Sequence, residues 1–360
     1  MAGLSAYTFY SLGKLCHEYN ATTLGDLWQG VMGGSKSWIV DLTTLLMTLA
    51  FCLVFNICIG DFSSDLFGIH RIICILGITL SCHYPLARLP SLDALAPVSI
   101  LGVGGIFVTC AAMVIQWTKR AMPVAFHVTG TAKNPLSALV LVSMAACSYT
   151  CHFAAPDFVK SLNGNLKDYK RMTILGFSSV AIVNMIILVA GFLTFGGNCA
   201  GIILNNYANG NRLASLCRGL MLISVVGTFP FVLVAAKTAL YNLVATFQKT
   251  KTSTTTDDDD DSTISPRTNH LVTIAMLAGI TVPSLLLRNA GLVVGFTGAT
   301  MGSAVTYIYP SILAIQAAKK RSKKGESLLF NRLVLLFGVT AAVAGGTASI
   351  LSACAPQLLR

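Results

Sequence analysis

The chain has 360 residues, of which 54% are hydrophobic and only 11% charged, and its formal net charge is +11. Soluble domains carry about a quarter charged residues, so this composition excludes one or two ordinary globular domains. It also excludes a disordered chain, which needs low hydrophobicity and high charge. The remaining class is an integral membrane protein that crosses the bilayer several times.

Ten apolar segments follow one another along the chain and predict membrane helices. Lys14 and Asp41 are the only charged residues inside them. Helices satisfy their own backbone hydrogen bonds in lipid, whereas barrel strands would need an alternating pattern that these continuous runs lack. The predicted fold is therefore all-α, with about 10 transmembrane helices at residues 2–16, 38–60, 72–86, 95–117, 135–155, 172–196, 219–236, 271–287, 292–318 and 333–355.

The lengths and flanking charges of these segments give an orientation. A span needs ~20 residues, so segment 271–287 is marginal, 72–86 is short and 2–16 is too short. Loops that follow the odd-numbered segments, counted together with Lys14 at the end of the first segment, hold 17 of the 25 lysines and arginines, and the positive-inside rule places those loops in the cytosol. Met1 then lies outside the cytosol, ahead of a clipped first helix. We therefore expect an N-terminally truncated form of a protein with eleven helices.

One polar stretch interrupts the apolar pattern at residues 248–269. It is rich in Thr, Ser and Asp, including five consecutive aspartates from Asp257 to Asp261, and has no hydrophobic residues able to build a core. We interpret it as a solvated cytosolic loop. The whole chain, 1–360, is then a single transmembrane transporter domain with one polar low-complexity loop.

Motifs of enzymes are missing from the sequence. The six histidines are scattered without a paired metal-binding spacing, and no Walker A motif occurs. The Gly102, Gly104 and Gly105 cluster, and the small residues recurring every four positions in 291–303, are typical of closely packed membrane helices. We expect no enzymatic activity, no metal site and no organic cofactor.

Segment 135–155 ends in the densest polar group of the apolar runs. Ser148, Tyr149, Thr150, Cys151 and His152 precede a proline at position 156. These residues weaken helical continuity, and an interrupted helix with free backbone groups at the midplane is how many transporters build a substrate site. Ser148 and His152 are four positions apart and are predicted to share a helix face. The alternative is a histidine that simply packs against neighbouring helices.

A second group of hydroxyls lies in segment 219–236. Ser224 and Thr228 share a helix face, and Pro230 frees the carbonyl of Val226, so the pair could present oxygen atoms to a small cation. The alternative is that both hydroxyls bond back to their own helical turn, as such residues commonly do in membrane helices. Lys237, about two turns further on, is expected to snorkel towards the cytosolic interface.

Several stretches resemble the amino acid/auxin permease family, and its protozoan amino acid transporters in particular. Residues 134–158 resemble the sixth helix of that family, and 82–95 (CHYPLARLPSLDAL) its fourth-to-fifth junction. The resemblance also covers GFLTFGGNCAGIILNNY after the seventh helix, Thr228-Phe229-Pro230 with Lys237-Thr238 in the eighth, and GFTGATMGSAVTYIYPSILA in the tenth. It implies an eleven-helix, LeuT-like inverted-repeat bundle whose second helix matches segment 2–16.

The resemblance implies a secondary transporter that moves amino acids by alternating access, and it leaves open whether H+, Na+ or no coupling ion drives transport. The residues from Ser148 to His152 would line the substrate cavity, and Thr228 would occupy a cation-ligating position of sodium-coupled relatives. The expected partners are an amino acid and the lipid bilayer, without nucleic acid, in the plasma membrane or an internal vacuolar or lysosomal membrane. The alternatives are a non-transporting amino acid sensor and an inactive truncated fragment of such a transporter.

Overall fold

The computed structural model describes residues 1–33, 36–89, 95–119, 142–251, 265–321 and 328–354, and these ranges are helical without any β-strand. In chain order the helices are α1 (Ala2–Tyr19), α2 (Leu24–Met32), α3 (Ser37–Phe67), α4 (Arg71–Leu86), α5 (Ala96–Thr118), α6 (142–147), α7 (Ala155–Ser161), α8 (Leu166–Phe195), α9 (Arg212–Lys251), α10 (Pro266–Leu286), α11 (Ala290–Lys320) and α12 (Leu328–Cys354). Helix α4 contains one π-helical turn, and α11 contains two consecutive ones.

Within the described residues, seven helices are long and apolar enough to cross a membrane, namely α3, α5, α8, α9, α10, α11 and α12. The marginal segment 271–287 is among them, because α10 begins before it, at Pro266. Helix α1 does not reach this threshold, α4 is shorter than a span, and the first third of predicted segment 135–155, residues 135–141, lies outside the described residues. The all-α, multi-pass class is confirmed, whereas the number of ten helices and the inverted repeat stay predictions.

Local sequence signals set the helix ends. The Thr23 hydroxyl accepts a hydrogen bond from the Asp26 amide at the start of α2, and the Asn165 side chain accepts one from the Lys167 amide at the start of α8. Such caps satisfy amides that have no partner inside the helix. Helix α3 ends at Gly68, whose φ of 67° is the left-handed conformation that glycine adopts without steric cost.

Helix α1 is embedded in the bundle and packs against α7, α8 and α11. Phe9 is buried and stacks on the Tyr169 ring of α8 at a centroid distance of 5.3 Å. The Tyr169 hydroxyl donates to the Phe9 carbonyl at 3.0 Å, which fixes the ring beside Gly13 of α1. A Cβ atom on Gly13 would lie 2.3 Å from that ring, so only glycine allows this approach.

Replacement of Gly13 by alanine is expected to lower the free energy of unfolding by about 2 kcal/mol, the usual cost of overpacking a rigid core. The buried Tyr169 ring cannot move aside without breaking its hydrogen bond to Phe9. Gly3→Ala is the matched control, because a Cβ there meets nothing within 4 Å. The thermal midpoint of the purified protein in detergent should fall for Gly13→Ala alone, and equal midpoints for both variants would contradict the tight packing of α1 on α8.

The most extensive helix pair is α3 with α9, and α9 also packs along α5. The predicted role of the α5 glycines in close packing is confirmed at two of three positions. A Cβ on Gly102 would lie 2.6 Å from the Ser224 hydroxyl and one on Gly105 would lie 3.0 Å from Leu220, whereas Gly104 faces open space. Helix α9 runs through Pro230 without ending there.

The connections between helices gather at two ends of the bundle. At what we name the lysine-rich end, α1, α4, α9 and α11 end, and a salt bridge between Arg321 and Glu18 joins α11 to α1. Lys237 lies near this end but does not snorkel, which corrects the prediction. Its side chain is buried instead. The burial is tolerated because the ammonium donates to the Ala87 carbonyl at 3.3 Å and to the Thr273 hydroxyl at 3.2 Å.

Candidate functional site

The chain leaves α-helical geometry between α6 and α7. Residues 148–149 form a turn, Cys151 is not helical (φ −126°, ψ 9°), and His152–Ala154 makes a single 3₁₀ turn. Helix α7 then restarts with Pro156 in its first turn, where proline needs no amide hydrogen. We name residues 148–154 the interrupted segment. The predicted break at this group of polar residues is confirmed.

His152 connects the interrupted segment to α1. Its side chain is 0% exposed. The Nε2 atom lies 3.0 Å from the Thr8 hydroxyl and 3.2 Å from the Ser5 carbonyl oxygen. Both partners belong to α1, so one imidazole edge contacts two successive polar groups of that helix. This places a polar junction inside the bundle, where an unpaired group would cost several kcal/mol.

The hydrogen-bond partners assign the tautomer of this ring. A carbonyl oxygen only accepts, so the contact with the Ser5 carbonyl requires a proton on Nε2. The neutral ring then carries a lone pair on Nδ1, and this atom has no hydrogen-bond partner in the described part of the chain. His152 therefore acts as a donor towards α1, and its remaining acceptor is unused.

Two side chains of the π-helical part of α11 complete the junction. The Tyr307 hydroxyl lies 2.8 Å from the Ser5 hydroxyl, and both side chains are fully buried. The neighbouring Thr306 hydroxyl donates to the Thr150 hydroxyl at 3.3 Å. Three separate parts of the chain, α1, the interrupted segment and α11, are thus joined through hydroxyls and one imidazole. We name these residues the polar junction.

Aromatic rings enclose the polar junction on the side of α8. Phe9 meets the His152 ring edge to face at a centroid distance of 5.4 Å. Phe177 of α8 lies 6.2 Å from the same imidazole and stacks on Tyr149. These rings exclude water from the junction and strengthen its hydrogen bonds, since electrostatic interactions grow as the local dielectric falls.

Ser148 and His152 do not share a face, which corrects one part of the prediction. Ser148 is exposed, donates to the Ala145 carbonyl and accepts from the Asn184 side-chain amide of α8 at 2.8 Å. His152 is buried against α1. The i, i+4 relation holds only along a continuous helix, and the turn between these residues rotates them apart. Of the five predicted substrate residues, Thr150 and His152 enter the polar junction, Tyr149 packs beside it, and Ser148 lies apart. The fifth, Cys151, is partly buried against the apolar core around Phe9.

The predicted cation pair lies elsewhere, at the contact of α9 with α5. The Thr228 hydroxyl donates to the Ser224 carbonyl at 2.8 Å, and the Ser224 side chain packs against Gly102. Within the described residues no hydrogen bond links either side chain to the interrupted segment. Their role in cation binding stays a prediction.

Sequence reasoning missed the partners of His152. Ser5, Thr8, Thr306 and Tyr307 all belong to the polar junction, yet none was identified as a candidate. A usable signal was present, because Ser5 and Thr8 place two hydroxyls on one face of an apolar helix, and Thr306 and Tyr307 sit side by side in another. What joins them is packing between residues about 150 to 300 positions apart, which periodicity does not reveal.

The sequence is similar to a family of membrane proteins and to several individual relatives. A family model described as "Transmembrane amino acid transporter protein" matches residues 1–351. Solute carrier family 38 member 10 of Homo sapiens is 22% identical over 309 residues, which is 78% of this chain but 26% of that protein. Its counterpart in Rattus norvegicus is 22% identical over 332 residues, covering 84% of this chain and 28% of the rat protein.

A plant relative covers more of both chains. Amino acid transporter AVT6E of Arabidopsis thaliana is 22% identical over 390 aligned positions, which cover 98% of this chain and 76% of the plant protein. The chain thus spans only about a quarter of the length of the human and rat proteins and most of the length of the plant protein. The match to the family model extends over nearly all of the chain.

Proposed function

The chain belongs to the family of transmembrane amino acid transporter proteins, and from that premise we propose that it carries amino acids across a membrane by alternating access. The observation that supports this most is the interrupted segment, which exposes non-helical backbone to a buried junction between α1 and α11. Irregular backbone at membrane depth is tolerated only where it is buried in protein or lines a cavity. Transporters commonly use such irregular backbone to form a substrate site.

In this proposal the interrupted segment recognises the groups that all amino acids share. The substrate carboxylate is received by backbone N–H groups near the start of α7, and the ammonium by carbonyl and hydroxyl oxygens of the polar junction. The residues from Ser148 to His152 contribute this backbone, and Thr150 and His152 orient it through α11 and α1. Recognition by backbone groups would accept many side chains, so the selectivity among amino acids is decided by the rings around the junction.

Alternating access requires the polar junction to open. His152 is wholly enclosed, and the salt bridge between Glu18 and Arg321 holds α1 and α11 together at the lysine-rich end. The hydrogen bond between the Ser5 and Tyr307 hydroxyls joins the same two helices inside the bundle. In our proposal α1 and α11 separate at one end to admit the substrate and then at the other to release it. The coupling ion is H+ or Na+, with Ser224 and Thr228 as the proposed ligands of a cation.

Uptake by the purified full chain in proteoliposomes tests this function. We expect accumulation of labelled neutral, basic or acidic amino acids above that of empty liposomes, and dependence on an imposed H+ or Na+ gradient. Excess unlabelled amino acid should compete, whereas its amide and its N-acetyl derivative should not, because each lacks one of the two recognised charges. Binding without flux would identify a sensor, and the absence of both would reject amino acid recognition by this chain.

A further inference from the structure

A polar cavity of about 480 Å³ lies at the end of the bundle opposite the lysine-rich end. Three connections of the chain meet there, between α3 and α4, between α8 and α9, and between α10 and α11. None of its lining residues belongs to α1 or to the interrupted segment, and the proposed transport site does not use them. The lining residues are Asp61, Ser64, Asp65, His70, Arg71, Asn205, Asn209 and Arg288.

Two of these charged residues form the wall of the cavity. The Arg71 guanidinium contacts Asp61 at 3.0 Å and donates to the backbone carbonyls of Ser284 and Leu287 at 3.1 and 3.0 Å. The second carboxylate oxygen of Asp61 accepts from the Asn205 side-chain amide at 3.0 Å. Because every charged group of this pair already has a partner, Asp61 and Arg71 hold the three connections together and leave little capacity for a ligand.

The other two charged groups keep binding capacity. Asp65 uses one carboxylate oxygen, Oδ2, to pair with the buried Arg218 at 3.3 Å, and its side chain stays 27% exposed. Arg288 is exposed, and its guanidinium has no hydrogen bond or salt bridge to any residue in the described ranges. It also lines a smaller adjoining cavity beside Asn289. One wall therefore offers a carboxylate oxygen that can accept a hydrogen bond, and another offers a guanidinium without a partner in the described ranges.

We propose that this cavity is an outer binding site for the zwitterionic head of an α-amino acid, with the substrate carboxylate on Arg288 and its ammonium at Asp65. The identification of the ligand as an amino acid rests on the proposed function. The arrangement discriminates by charge, since the two aspartates repel a simple anion and the two arginines repel a simple cation. Guanidinium and carboxylate groups match in a two-pronged hydrogen bond, and the volume is in the range of small-molecule sites.

Hydrogen exchange on the full chain in lipid nanodiscs tests the site without requiring transport. We expect L-alanine, L-glutamate and L-lysine to slow amide exchange in residues 196–211, which carry Asn205 and Asn209. Alaninamide and N-acetylalanine should have no such effect. Arg288→Met should remove the protection and raise the Kd of this site by about tenfold, the effect of losing a charge-assisted hydrogen bond. Arg332→Met, which replaces an exposed arginine at the start of α12, should behave as the wild type.

The same variants separate this inference from the proposed function. In uptake assays Arg288→Met should raise KM about tenfold and leave kcat nearly unchanged, because capture weakens while the later steps persist. Protection of residues 148–154 without protection of 196–211 would overturn the outer site and leave the transport proposal intact. Protection of 196–211 without uptake would support the outer site and overturn the transport proposal. Protection that needs phosphatidylserine and no amino acid would assign the cavity to a lipid headgroup and overturn the inference.

Discussion

Replacement of His152 by alanine is expected to lower amino acid uptake per folded molecule by at least about 100-fold, the loss that follows when a catalytic or binding group is misplaced by ~1 Å. The imidazole donates towards the Ser5 carbonyl and contacts the Thr8 hydroxyl, so its removal releases the interrupted segment from α1. The backbone that is proposed to bind the substrate would then lose its fixed position.

The initial rate of uptake, divided by the amount of monodisperse protein, measures this effect. His152→Gln should recover part of the rate, because its amide can donate close to the position of Nε2. His17→Ala is the matched control, since His17 is an exposed histidine of α1 that lies outside the polar junction. A purely structural histidine would reduce the yield of folded protein and leave the rate per folded molecule unchanged.

Replacement of Asp65 by leucine is expected to lower the free energy of unfolding by about 3–5 kcal/mol, the cost of leaving a buried charge without its counter-ion. Arg218 is only 1% exposed, and besides Asp65 it contacts the carbonyls of Leu204 and Tyr207 at 2.9 and 2.7 Å. Carbonyl dipoles stabilise a guanidinium less than a carboxylate does. Asp65 is therefore the group that allows a full positive charge inside the start of α9.

A double-mutant cycle distinguishes this charge effect from a packing effect. Asp65→Leu combined with Arg218→Met should regain at least about 2 kcal/mol, because neither charge then stays buried alone. The free energies of unfolding can be measured by denaturant titration in mixed micelles. Strict additivity of the two single variants would show that the pair contributes nothing to stability.

The all-α, multi-pass architecture was predictable because the distribution of charged and apolar residues along the chain indicates it directly. Charged residues delimit the apolar segments, and helices are the structure that such segments adopt in lipid. The break near His152 was also predictable, since Ser148, Thr150 and Pro156 disfavour a continuous helix within a few residues of each other. These features depend on neighbours in the chain, which a single sequence displays directly.

The partners of those residues were not predictable, because they depend on packing between distant helices. His152 meets Thr8 across 144 positions, and Thr306 meets Thr150 across 156. Lys237 illustrates the same limit. Its position near a helix end indicated snorkelling, but the carbonyl of Ala87, which follows α4, and a hydroxyl of α10 hold its ammonium inside the bundle. Periodicity identifies which face of a helix is apolar but leaves open which helix covers it.

The contacts of Arg71 with Asp61, Ser284 and Leu287 have a consequence for the order in which the bundle is assembled during synthesis. The carboxylate partner of Arg71, Asp61, lies 10 positions earlier, whereas its carbonyl partner at Ser284 lies 213 positions later. At ~5–20 residues per second the ribosome needs about 10–40 s to make the intervening chain. The pairing with Asp61 can therefore neutralise Arg71 as soon as α3 and α4 emerge. The carbonyl bonds can close only after α10 is synthesised, so this end of the bundle stays incomplete until about four fifths of the chain has been made.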